Sequence, residues 1–330
     1  MAKQLKVSPS TISRALQNHP SIGKKTTAEV HRLAKKLGYY PNSVASNLRR
    51  NKTNLIGVII PRIDRYFQSS AIAGIEEVAS KAGYYVIIFQ SNNSYQREKE
   101  NARMLLASQA DGIIACLALE TNNYDHLAIF KENNIPLVFF DRVCSEIETH
   151  KVIIDDFGAA IKATEHLISI GCRRIAHIAG NQHMAIFRDR LRGYQEALKK
   201  QNIAVEDDLI CFTDDLSSLE GTQATQKFLK RPVPPDGIFC SNDTSAISAI
   251  QTIKKAGLRV PEDIAVVGFS NTPTSLIIDP ALTTIDDHAF EMGQAVARMV
   301  IRQIEEPQQD IASETIIIRN DLIVRDSTMR

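Results

Sequence analysis

The chain has 330 residues, 44% apolar and 23% charged, a globular composition with no apolar run near the roughly 20 residues that span a bilayer. Its formal charge of +1 hides an asymmetry: residues 1–53 carry eleven lysines and arginines against the single acid Glu29, a net +10, and the remainder is −9. A basic head on an acidic body excludes a uniform enzyme-like surface and marks a polyanion-binding module joined to something else.

In chain order, Ala2–Lys6 reads as the end of a helix, with a tight turn at Lys6-Val7-Ser8. Val7–Leu16 (VSPSTISRAL) follows as a second helix: Ser8 caps it, Pro9 suits its first position, and Ile12 and Leu16 fall on one face. The other face carries Ser10, Thr11, Ser13 and Arg14, hydroxyls and a guanidinium that suit phosphate oxygens and base edges in a major groove. Two short helices and a tight turn make a helix-turn-helix candidate. Asn18–Lys25 is a polar loop, and Thr26 or Thr27 can cap a third helix whose apolar face is Val30, Leu33, Ala34 and Leu37, stopped by Gly38. After Pro41, the segment Asn42–Arg50 has three apolar positions, Val44, Ala45 and Leu48, and is too short to hold a helix in water. Leu48 beside Arg49 and Arg50 points to DNA as the partner that orders it.

The pattern changes at Thr53-Asn54. Buried parallel strands are expected at Leu55–Ile60, Tyr85–Phe89, Gly112–Ala115 and Leu137–Phe140, then at Arg174–Ala179, Leu209–Phe212, Gly237–Cys240 and Ile264–Gly268. Helical patterns separate them, near 69–81, 96–108, 124–132, 158–169, 188–200, 217–229 and 245–256. Alternation of this length implies two similar lobes, each a doubly wound parallel sheet with helices on both faces, and Glu314–Ile318 and Asp321–Val324 read as short strands finishing the second lobe. Five widely spaced cysteines, without Cys-x-x-Cys or His-x-x-His pairing, read as reduced buried thiols and not as a metal site or disulfides. No apolar core follows the basic start, so no signal peptide is seen and a cytoplasmic location is expected.

With these residues in view, the chain resembles the lactose-repressor/galactose-repressor (LacI/GalR) family of bacterial transcription regulators. The carrying motifs are Val7-Ser8-x-x-Thr11-Ile12-Ser13-Arg14, Leu37-Gly38-Tyr39-x-Pro41-Asn42-x-x-Ala45, Ile56-Gly57-Val58-Ile59, Arg190-x-x-Gly193-Tyr194, Asn242-Asp243, the run from Gly257 to Phe269, and Leu282-Thr283-Thr284-Ile285. The resemblance implies a small all-α helix-turn-helix domain (1–41), a hinge helix and linker (42–53), and an α/β effector-binding core (54–330) similar to periplasmic sugar-binding proteins. Lobe 1 is then about 54–155 plus 287–313, and lobe 2 about 156–286 plus 314–330. It implies a homodimer on double-stranded operator DNA, with no membrane partner, no cofactor and no metal, and a sugar or sugar derivative in the cleft between lobes.

Carried over by position, Ser10 and Arg14 face bases, Ser8, Thr11 and Ser13 hold phosphates, and Pro9 sits where many relatives place a longer reading side chain. In the hinge, Asn42 and Ala45 lie at the DNA, Leu48 matches the leucine that wedges into the minor groove, and Arg49 adjoins it. Effector contacts fall to Tyr66, Phe67, Asp141, Arg142, Arg190, Asn242, Asp243 and Ser270. Asp156 reads instead as the cap of the helix that follows it. Two departures matter: the chain begins inside what the resemblance makes the first helix, and Ser270 stands where many sugar-responsive members have an aspartate. A hydroxyl cannot accept two strong hydrogen bonds from a diol as a carboxylate can, which weakens the case for a neutral sugar. The alternatives are a free cytoplasmic sugar-binding protein, which leaves the +10 head unexplained, and a regulator controlled by a partner protein. An enzyme has less support: no Gly-x-Gly-x-x-Gly after a strand, no Walker loop and no Gly-x-Ser-x-Gly elbow is present.

Overall fold

The computed structural model describes residues 1–16, 18–39, 52–307 and 312–330. The hinge expected at 42–50, with Asn42, Ala45, Leu48 and Arg49, lies outside the described residues. The chain divides into two units, Met1–Thr53 and Asn54–Arg330.

In the first unit, α1 (Ala2–Leu5) closes on Lys6, which turns the chain in the left-handed region at φ 52°. The next helix, α2 (Pro9–Leu16), is capped as expected, the Ser8 hydroxyl accepting from the Thr11 N–H at 3.1 Å. The third helix, α3 (Lys24–Lys36), starts earlier than the sequence reading has it: Gly23 occupies the cap position in an extended conformation, so neither Thr26 nor Thr27 caps the helix. Its apolar face is also narrower than expected, because Leu37 falls past the last helical turn and is half exposed. Ile12, Ala15 and Val30 form the buried centre, ringed by Leu5, Val7, Leu16 and Ile22. That centre is small, and it fixes α2 with one face inward and Ser10 and Arg14 outward.

The second unit is built on two six-stranded sheets. The first contains β1 (Leu55–Ile60), β2 (Tyr85–Gln90), β3 (Gly112–Ala115), β4 (Leu137–Phe140), β5 (His150–Ile154) and β11 (Thr315–Ile318), in spatial order β11-β5-β4-β3-β1-β2. In the second lie β6 (Ile175–Ala179), β7 (Ile210–Phe212), β8 (Gly237–Cys240), β9 (Ala265–Phe269), β10 (Thr283–Asp286) and β12 (Asp321–Ile323), in order β12-β10-β9-β8-β6-β7. Only the β10–β12 pairing is antiparallel among those described. Each sheet reverses its strand order beside its first strand, which opens a crevice at the strands' carboxyl ends.

Helices cover both faces of each sheet, as apolar runs buried on two sides require. The first sheet packs α4 (Tyr66–Lys81) and α12 (Ala289–Glu305) on one face and α5 (Tyr95–Ala107) and α6 (Asp125–Glu132) on the other. On the second sheet, α7 (Asp156–Ser169) and α8 (Ala185–Lys200) lie opposite α9 (Ser218–Leu229) and α10 (Asp243–Lys255). A one-turn helix, α11 (Pro273–Ile277), follows β9.

The tail corrects one expectation: Thr315–Ile318 pairs in parallel with β5 in the first lobe and does not finish the second, so the chain crosses between lobes after β5, after β10 and again between β11 and β12. The sequence reading names no element at β5, β10 or α12. The β5 strand opens on His150-Lys151, and β10 is short and half polar, its buried Thr283 and Thr284 hydroxyls donating to Arg325 O at 2.9 Å and Asp243 Oδ1 at 2.6 Å. Period-2 apolar alternation therefore fails to mark them.

Helices α4 and α12 cross backbone on backbone. A Cβ placed on Gly293 would stand 1.9 Å from Ala71 O, and one on Gly74 would stand 2.1 Å from Phe290 O. Contacts this short involve main chain on both sides and cannot relax by a rotamer change. Gly293→Ala is expected to lower stability by about 1–3 kcal/mol through overpacking, read as a lower urea midpoint; an unchanged midpoint would contradict this packing.

Candidate functional site

Between the two lobes the carboxyl ends of the strands face each other across a cleft of about 820 Å³, including its open mouth. All eight residues expected at the effector line it: Tyr66, Phe67, Asp141 and Arg142 from the first lobe, and Arg190, Asn242, Asp243 and Ser270 from the second. The structure adds Gln68, Phe187, Ser241, Phe269 and Asp287, which the sequence reading does not name as site residues.

Arg190, on α8, is buried and rigidly held. Its Nε donates to Asp156 Oδ1 at 2.7 Å, its Nη1 donates to Ser241 O at 2.7 Å, and its guanidinium lies 3.6 Å from the centroid of the Phe269 ring. A buried guanidinium is tolerated in a low-dielectric site when it is paired and hydrogen-bonded, and both conditions are met. Asp156 therefore has a different role from the one expected. The cap of α7 is Asp155, whose side chain accepts from Gly158 N at 2.8 Å, while Asp156 is the buried counter-ion of Arg190.

Asn242 and Asp243 line the cleft, yet their polar atoms are committed to the framework. Asn242 caps α10 by accepting from Ser245 N at 2.8 Å and donates to Leu216 O at 3.0 Å. Asp243 accepts from Thr272 N at 2.7 Å and Thr284 Oγ1 at 2.6 Å, which pins the Ser270-Asn271-Thr272 turn, where Ser270 has φ 101°.

The cleft is rich in buried carboxyls. Burial pushes Asp156 up to about 6 against the pull of Arg190, Asp243 up to about 6, and Asp287 up to about 7. Asp141 is also pushed up by burial and accepts from the Cys116 thiol at 3.4 Å. Asp156 and Asp287 lean on the Arg190 charge, and Asp141 leans on Arg142 first and on Arg190 second. His177 is different: burial pushes it down to about 4, and it stacks between Tyr194 and Phe239 as a neutral core histidine.

At the mouth, Asp215 of the second lobe meets three groups of the first: Arg65 Nη2 at 3.0 Å, Asn93 Nδ2 at 3.3 Å and Arg62 Nη1 at 3.7 Å. Arg142 Nη1 joins the chain by donating to Asn93 Oδ1 at 2.8 Å. These groups are partly exposed, so each pair contributes about 0–1 kcal/mol. Together they bridge the lobes without locking them. On the head, α2 presents Ser8, Pro9, Ser10 and Arg14 exposed and Thr11 and Ser13 half-buried, with the Ser8 hydroxyl 2.7 Å from that of Ser10. Among the described residues, no cluster of three or more His, Cys, Asp or Glu is placed to hold a metal, and no helix is long and apolar enough to cross a membrane.

The folded value of Asp287 lies above its unfolded one, so the folded state holds this proton more tightly. Its contribution to stability is full at low pH and is lost as pH rises from about 4 through about 7. The unliganded Asp287→Asn variant escapes that loss. Its urea midpoint should gain on the wild type between pH 5 and pH 8; a difference that does not change with pH would contradict the buried placement.

Residues 53–326 match the model described as periplasmic binding proteins and sugar binding domain of LacI family, and residues 1–42 match bacterial regulatory proteins, lacI family. The chain is 34% identical over 329 residues to the HTH-type transcriptional repressor CytR of Escherichia coli (strain K12), covering 99% of this chain and 95% of that protein. To the ribose operon repressor of Halalkalibacterium halodurans it is 31% identical over 328 residues, 99% of this chain and 96% of that one. Among solved structures, the lac repressor dimer bound to operator and the anti-inducer ONPF matches with a TM-score of 0.89 at 26% identity, over 100% of this chain and 98% of that one. The chain thus belongs to the LacI family of bacterial regulatory proteins, and it is a DNA-binding transcriptional regulator controlled by a small-molecule effector, not an enzyme.

Proposed function

We propose that this protein is a cytoplasmic homodimeric repressor that binds a two-fold operator through residues 1–41 and the hinge at 42–53, and that a carbohydrate-like molecule in the interlobe cleft sets its operator affinity. The observation that carries this reading is the convergence on one cleft of the eight residues that the sequence assigns to the effector, drawn from both lobes. A ligand touching Tyr66, Phe67, Asp141 and Arg142 on one side and Arg190 and Ser270 on the other binds the closed arrangement more tightly than the open one. That difference in affinity is what lets a small molecule shift a conformational equilibrium. Asn242 and Asp243 act in this reading as the frame that holds the second lobe's wall.

On the DNA side, Arg14 and Ser10 read base edges while Ser8, Thr11 and Ser13 hold phosphates, with Pro9 opening the helix. Asn42, Ala45, Leu48 and Arg49 carry the minor-groove contact. Two similar proteins bear on the ligand and the assembly: a CelR structure is described as a complex with cellobiose, and the lac repressor one as a dimer on operator.

The test is operator binding by the full chain as salt is varied. Log affinity should fall linearly with log salt, with a slope set by the phosphates neutralised. Arg14→Ala should relax base preference at its contact by about 1–3 kcal/mol, whereas Lys24→Ala should weaken all sequences alike and flatten the salt slope. Binding that ignores salt, or an Arg14→Ala variant with unchanged preference, would contradict the reading of α2.

A further inference from the structure

We propose that Glu98, a buried carboxyl of α5 that does not line the cleft, is the positioning residue of the contact between the lobes: it fixes the loop after β3 so that Leu119 reaches across and packs on lobe 2. The claim concerns how the lobes are held together and stands whatever the cleft binds.

The apolar core of lobe 2 that contains Ile186, Phe187 and Leu216 is built from lobe 2 residues throughout. Among the described residues, Leu119 is the single side chain of lobe 1 packed against it. Leu119, Ile186, Phe187 and Leu216 all line the cleft. The charge of Arg188 on α8 also acts on Tyr124, at the end of the same loop.

A loop contact of this kind needs a backbone already fixed, because ordering the loop for one leucine would cost in entropy what the packing gains. Here the backbone is fixed from inside lobe 1. Glu98 is 1% exposed; its Oε2 accepts from Ala118 N at 2.6 Å, while its Oε1 accepts from Thr121 Oγ1 at 2.6 Å and lies 2.9 Å from His126 Nε2. The two loop residues it holds flank Leu119 and Glu120. Tyr95, one turn earlier on α5, sets its ring edge-on to His126 at 5.3 Å and donates its N–H to Glu120 Oε2 at 3.1 Å. Glu120 N donates in turn to Asn93 O at 3.2 Å, and Leu117 N to Arg142 O at 3.1 Å.

Burying a carboxyl is costly unless its oxygens are hydrogen-bonded, and an apolar side chain would fill the same space. What the acid supplies is direction: two short bonds, to a main-chain N–H and to a hydroxyl three residues on, fix the turn between them. Asn93 and Arg142, tied to the same loop, carry the polar bridge to Asp215 of lobe 2. One anchored loop thus places both the apolar and the polar contact across the cleft. Loosening the anchor removes population from the closed arrangement, and a ligand that requires closure then binds more weakly by the same factor.

The experiment is hydrogen exchange on the unliganded full-length protein, read by mass spectrometry, for the wild type, Glu98→Gln, Thr121→Val, Leu119→Ala and the double variant Glu98→Gln with Leu119→Ala. Urea unfolding of each checks the global fold. The reporting segment on lobe 2 is 184–188, where the Met184, Phe187 and Arg188 N–H groups donate to main-chain carbonyls. Burying half a leucine side chain shifts an equilibrium about tenfold, so Leu119→Ala should speed exchange at 184–188 by about that factor. Glu98→Gln, and to a smaller extent Thr121→Val, should speed exchange both at 117–121 and at 184–188. In the double variant 184–188 should exchange no faster than in Leu119→Ala, as expected if the acid acts through the leucine. A Glu98→Gln protein that exchanges faster at 117–121 but at the wild-type rate at 184–188 overturns the proposal, because the acid then serves lobe 1 alone. So does wild-type exchange at 184–188 in Leu119→Ala, or additive effects in the double variant. Where Glu98→Gln fails to fold, Thr121→Val decides on the same two segments: a change at both supports the proposal, and a change at 117–121 alone overturns it.

Discussion

One buried guanidinium sets the terms for the whole cleft. Arg190 ties α8 to the first turn of α7 through Asp156, to the end of β8 through the Ser241 carbonyl, and to β9 through the face of Phe269. Removing the cation would strand Asp156, and an uncompensated buried charge typically costs about 3–5 kcal/mol. The pair therefore acts as a fixed wall of the site, preorganised before any ligand arrives. The neighbouring acids Asp141 and Asp287 lie within the field of Arg190, and burial pushes both of them up.

The same balance governs movement. Three crossovers join the lobes, near Asp155, His288 and Asn320, and Asn320 fastens two of them by donating to Asp155 O at 3.1 Å and accepting from Lys162 Nζ at 2.8 Å. The far side of the cleft is bridged by the partly exposed Asp215 contacts alone among the ion pairs described between the lobes. A firm hinge with a weak latch leaves little for a ligand of moderate affinity to overcome in re-weighting open and closed arrangements. A cleft closed by buried ion pairs would respond poorly to a ligand.

What was legible in the sequence follows from where the signal is strong. The apolar runs Leu55–Ile60 and Gly237–Cys240 announce buried parallel strands, and residues just after such strands, Asp141 and Asn242 among them, fall in the cleft by the geometry of the fold. Asp287 obeys the same rule but was hidden, because β10 reads Thr-Thr-Ile-Asp and its hydroxyls find their short hydrogen bonds with partners distant in sequence, Arg325 and Asp243 among them. Asp156 was misread for a local reason: its neighbour Asp155 performs the capping, and only the fold brings Arg190 to Asp156 across 34 positions of sequence. The strand Thr315–Ile318 has the right period for a strand and no local feature that says which lobe it joins.

A switch of this kind obeys reciprocity: if the cleft ligand changes operator affinity by some factor, the operator must change the ligand's affinity by the same factor. The direct measurement is therefore a pair of titrations on the full chain, a bound sugar against free protein and against the operator complex, and operator against protein with and without that sugar. The two factors should agree and differ from one. A sugar bound with equal affinity by the free and operator-bound protein would contradict control of DNA binding through the cleft.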